Sequence, residues 1–141
     1  MKYLPGLCLA IVASLSAFAA DDAKTMQGNW QPATAVLGGQ PVPDAILKII
    51  SLRLNDGKYE VLVGDSPDKG TYTLDSTTKP KAITVTGTAG PNLGKTFPAI
   101  CELDGDTLRI CYDLSGAKRP AEFKSIAGTS LYLVTYARKK E

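Results

Sequence analysis

Hydrophobic and polar residues alternate along most of this chain, with the period of two that a strand with one dry face produces. The pattern is clearest from Ile100 to Asp113. Ala99, Cys101 and Leu103 alternate on one arm, and Leu108, Ile110 and Tyr112 on the other. Between them Asp104-Gly105-Asp106 supplies residues that tolerate the positive φ of a tight turn, so the stretch predicts an antiparallel hairpin. Pairing Leu103 with Leu108 and Glu102 with Arg109 sets Cys101 across from Ile110. The two cysteines then point to opposite faces, and no disulfide is expected between them.

The same pattern recurs along the chain. Ile50, Leu52 and Leu54 turn at Asn55-Asp56-Gly57 and return as Tyr59, Val61 and Val63, a second hairpin. Further strands are predicted at Thr71 to Leu74, Ala82 to Thr86 and Leu131 to Tyr136, with a short one around Glu122-Phe123-Lys124 whose Phe123 faces inward. The first strand opens at Gly28-Asn29-Trp30 and runs through Ala35 and Val36 to Gly38-Gly39, and Pro32 within it marks an edge or a bulge. Asp65 to Asp68 and Gly87 to Gly94 are expected to be loops. Pro41-Val42-Pro43-Asp44 leads through Ala45-Ile46-Leu47-Lys48 as one short helical turn, with proline near its start. Eight main strands and no long helix predict an all-β fold.

Antiparallel strands in that number stack as a sandwich or close as a barrel, and closure alone removes the exposed edges. The ends of the chain favour an eight-stranded antiparallel barrel. Gly28-x-Trp30 begins the first strand and Arg138 ends the last, and a closed meander brings those strands together with the guanidinium over the indole.

Residues 1–19 carry Lys2, the apolar run Leu7 to Ala13 and the small-x-small sequence Ala17-Phe18-Ala19, which is the pattern of a secretory signal peptide. The expected domain is then residues 20–141, in a secreted or periplasmic compartment. No later stretch has the roughly 18 to 20 apolar residues of a membrane helix, so no transmembrane span is expected. The chain has 16 basic and 14 acidic residues; without Lys2 the balance is 15 to 14, a net charge of +1. That balance gives no electrostatic reason to expect nucleic acid as a partner.

Catalytic patterns are scarce. The chain has no histidine, which removes the usual base for a serine or cysteine nucleophile and the commonest zinc ligand. Ala89 to Thr96 fits a relaxed phosphate-loop pattern, but Phe97-Pro98 leads into a strand where a phosphate loop needs a helix N-terminus. Asp104-Gly105-Asp106 and Asn55-Asp56-Gly57 lack the ligand series of a calcium loop. No catalytic residue, cofactor or metal is expected, and the chain is read as a non-enzyme.

Gly-x-Trp with a late arginine resembles the lipocalin-type arrangement. Together with Gln40-Pro41-Val42-Pro43, Gly70 to Asp75, Lys79-Pro80-Lys81, Glu102 to Cys111 and Lys118 to Phe123, the motif Gln27-Gly28-Asn29-Trp30 is similar to an uncharacterised lipocalin-like domain family of planctomycete-type bacteria. The resemblance spans Met26 to about Arg138. It implies a fold and a compartment, and no catalytic residues. An aromatic would be expected before Glu102-Leu103-Asp104, and Cys101 in its place leaves room inside.

An eight-stranded barrel is at the size where side chains either fill the interior or leave space for one small ligand. Tyrosines facing inward bear on that choice, because a buried hydroxyl needs a partner and convergent hydroxyls in an apolar cavity make a ligand site. The expected cavity is lined by Tyr59, Tyr72, Cys101, Tyr112 and Tyr132, with Gly28, Trp30 and Arg138 as structural residues. Its guest would be a small apolar molecule or an envelope component. The alternative is a filled barrel acting as a protein-interaction or structural module of the cell envelope through its loops. Protein partners are not identified by the sequence.

Overall fold

The computed structural model describes residues 23–140; residues 1–19, where a signal peptide is expected, lie outside the described residues. The chain forms β1 (Gly28–Leu37), β2 (Gln40–Pro41), α1 (Asp44–Leu47), β3 (Ile50–Asn55), β4 (Lys58–Val63), β5 (Ser66–Asp75), β6 (Lys81–Ala89), β7 (Thr96–Asp104), β8 (Thr107–Asp113) and β9 (Leu131–Arg138). Apart from the two-residue β2, which folds back on the end of β1, each strand pairs antiparallel with the next, and β9 returns to pair with β1. The result is the closed eight-stranded antiparallel barrel expected from Gly28, Trp30 and Arg138.

The hairpin register also follows the sequence. Leu103 pairs with Leu108, Glu102 with Arg109 and Cys101 with Ile110. Both cysteines are free and buried. Cys101 belongs to the inner core, whereas the Cys111 thiol points outward and meets the carbonyl of Lys124 at 3.4 Å. Pro32 sits where the β1–β9 register shifts, the bulge its missing N–H calls for. After Asn92 and Leu93 the Lys95-Thr96 pair enters β7 with no helix, so no phosphate loop forms there.

Three expectations are corrected. Ser66, Pro67 and Asp68 are not a loop but the first residues of β5, paired with Val63, Leu62 and Val61. Gly87 likewise belongs to β6, which runs on to Ala89. Glu122 to Lys124 forms no strand: residues 114–130 cross the outer face as irregular chain. Phe123 is therefore outside the barrel, with the Arg109 guanidinium 4.1 Å from its ring centroid. Ala82, Ile100 and Cys111 are buried although they alternate out of phase with the inner residues. The Arg119 guanidinium helps hold this outer segment down, donating to the carbonyls of Ile83 and Ala99 at 2.9 and 2.8 Å.

The barrel has two unlike ends. At one, Trp30 is fully buried, its indole N–H donates to the Met26 carbonyl at 2.9 Å, and Met26 is itself buried. Arg138 covers that ring at 4.3 Å from its centroid, while its three nitrogens donate to Gln27 O, Thr25 O and Asp106 Oδ1. This end is plugged. The short helix α1 lies against β1, and its Leu47 joins the buried core.

Candidate functional site

A cavity of about 320 Å³ occupies the barrel interior and reaches the end where β3, β5 and β9 begin and β4 and β8 finish. Inward-facing positions of consecutive strands build its wall: Leu52 and Leu54 from β3, Tyr59 and Val61 from β4, Ile83 and Val85 from β6, Phe97 from β7 and Ile110 from β8. Ile50, Val63 and Leu114 carry the apolar lining to the mouth, joined by Ser66, Asp68, Pro91 and Asn92. Val63 is 45% exposed and Leu114 36% exposed, so the apolar path reaches solvent.

Four of the five expected lining residues, Tyr59, Tyr72, Tyr112 and Tyr132, do meet in this wall. Cys101 is the correction. Phe97 lines the cavity, whereas Cys101, four residues on in β7, does not, although its cross-strand partner Ile110 does. Cys101 is only 3% exposed among packed core residues, and burial pushes its thiol up to about 11.

Gly70 leaves room for one of these rings. Tyr59 pairs with Gly70 across β4 and β5, and a Cβ on that glycine would meet Tyr59 Cε2 at 2.4 Å and the Thr86 carbonyl at 2.0 Å. The ring therefore lies on bare backbone, which holds it against the wall. Tyr112 stacks on Tyr132 with centroids 5.7 Å apart, and the Tyr112 and Tyr136 hydroxyls meet at 3.1 Å. Burial raises the pKa of Tyr59, Tyr72, Tyr112, Tyr132 and Tyr136, that of Tyr59 to about 12 with help from the nearby Asp68 charge. These phenols stay neutral at physiological pH and offer only polar tips to an otherwise apolar chamber.

Sequence reasoning missed Tyr136, although its spacing from Tyr132 places both on one face of β9. It also missed Ser66, Asp68 and Asn92. Ser66 and Asp68 occupy inward positions of β5, but polar residues there break the apolar alternation that marks a strand. Among the described residues Asp68 is the only ionisable carboxylate in the cavity wall. Its Oδ2 accepts from Asn92 Nδ2 at 2.7 Å, whereas its Oδ1 is buried without a hydrogen-bond partner.

A wider cleft of about 630 Å³ lies on the outer face between the β5–β6 turn and residues 119–121. The Arg119 guanidinium that lines it is occupied by the two carbonyls and the Thr84 hydroxyl, as a group that fastens a loop would be. No group of three or more potential metal-ligating side chains occurs among the described residues. No helix among them is long and apolar enough to cross a membrane. Comparison with protein-family models, curated proteins and solved structures finds no match to this chain. The resemblance drawn above rests on its motifs alone.

Proposed function

We propose that this chain is a non-enzymatic carrier that holds a small apolar molecule inside its barrel, and that it works outside the cytoplasm after residues 1–19 are removed. The observation that carries the reading is the cavity: about 320 Å³, walled by aliphatic and aromatic side chains, with a few polar groups gathered at one side. Ligand sites have this composition, and volumes from about 300 Å³ upward hold small guests. Burial of an apolar guest contributes roughly 25 cal/mol per Å² removed from water. The pattern of residues 1–19 supports the compartment.

Titration of the mature protein with the neutral fluorophore N-phenyl-1-naphthylamine tests the carrier. A saturable, one-to-one rise in emission that decanol competes away is expected. Emission that rises without saturation would end the carrier reading and return the barrel to an interaction module. Native mass spectrometry of protein purified from its own host would then identify the natural guest by its added mass.

A further inference from the structure

We infer that the cavity selects an amphipathic guest with a cationic amine head, and that Asp68 is the residue that receives it. The inference rests on the carrier reading and names its ligand class. β5 enters the barrel with Ser66 and Asp68 at inward positions, where the other strands place apolar side chains. A carboxylate turned toward an apolar chamber is costly unless both oxygens find donors. Only one does. Asn92 Nδ2 satisfies Oδ2 at 2.7 Å, and Oδ1 is shielded from solvent with no hydrogen-bond partner. The cavity is therefore apolar along most of its wall and, among the described residues, has a single carboxylate near its mouth.

The chemistry of that acceptor narrows the guest. A primary ammonium supplies up to three N–H donors and the opposite charge, and charge-assisted bonds of this kind are roughly twice as strong as neutral ones. A carboxylate head would meet like charge at the same place. A calcium ion requires six to eight oxygen ligands, more than one carboxylate oxygen supplies. The cavity, about 320 Å³, is in the range that holds a small guest. An alkyl chain with its amine at Asp68 matches the polarity of the wall.

Displacement of N-phenyl-1-naphthylamine by decylamine, decanol and decanoate, at neutral pH and fixed ionic strength, provides the test without any substitution. Decylamine is expected to bind at least about tenfold more tightly than decanol, and decanoate more weakly than either. Asp68→Asn should erase the advantage of the amine over decanol, with a melting temperature at or above that of the unaltered protein reporting an intact barrel. If all three bind equally in the unaltered protein, a water or a local donor satisfies Oδ1 and the inference fails while the carrier stands. An amine preference that survives Asp68→Asn overturns the assignment to Asp68. If none of the three displaces the fluorophore and the fluorophore itself does not bind, the carrier reading fails and this inference with it.

Discussion

A Cβ on Gly28 would stand 3.0 Å from Nη1 of Arg138, so the first residue of the first strand is bare where the last residue of the last strand crosses it. Gly28 also has φ +133°, a backbone conformation that side chains rarely adopt. The glycine, the buried indole two residues on and the guanidinium over it form one device that seals the barrel where its ends meet. It needs residues from both ends of the domain.

Removing that guanidinium should loosen the seal. Arg138→Ala loses the cation–π contact and leaves the carbonyls of Gln27 and Thr25 without their donor, a cost of about 1 to 3 kcal/mol. The bridge to Asp106 adds little, because that carboxylate is largely exposed. A lower Tm and a red shift of Trp30 emission are expected in thermal and fluorescence measurements. An unchanged Tm would show that closure does not depend on this contact.

The location of the free volume can be tested by filling two places with the same ring. Cys101→Phe enlarges a side chain in packed core and should cost roughly 1 to 3 kcal/mol. Val61→Phe enlarges one in the cavity wall, and should change stability by less than about 1 kcal/mol while weakening fluorophore binding. Denaturant melts of the pair give the comparison. The reverse order of costs would place the void beside Cys101.

Alkaline stability should report the tyrosines. A phenol whose folded-state pKa lies above 10 keeps its proton longer in the folded chain than in the unfolded one. The stability this contributes is fully present below pH 10 and is lost as pH rises toward the folded value, about 12 for Tyr59. Phenolate absorbance during a pH titration should lag that of the denatured protein, and Tm should fall above pH 10. Coincident titration curves would contradict buried phenols.

Gly70 should not tolerate a methyl group. The clash of a Cβ with Thr86 O at 2.0 Å involves backbone, which cannot rotate aside as the Tyr59 ring could. Gly70→Ala is expected to cost about 3 kcal/mol or more, and adding Tyr59→Leu should not restore the loss. Recovery in the double variant would show that the ring, and not the sheet backbone, sets the limit.

Alternation and turn chemistry are local, and they alone determined most of the strands, the tight turns at Asp56-Gly57 and Gly105, the hairpin register that separates Cys101 from Cys111, and the bulge at Pro32. Even closure was legible, because Gly28, Trp30 and Arg138 have no joint use unless the first and last strands meet. Tertiary structure decided what depends on position along the barrel axis. That position is set by the tilt and stagger of all the strands together, so no single strand's period could show that Phe97 lines the cavity and Cys101 does not. The same holds where a polar residue faces inward. Ser66 and Asp68 look like a loop in sequence because alternation assumes that the inner face is dry, and only the closed barrel reveals a carboxylate set at the mouth of an apolar chamber.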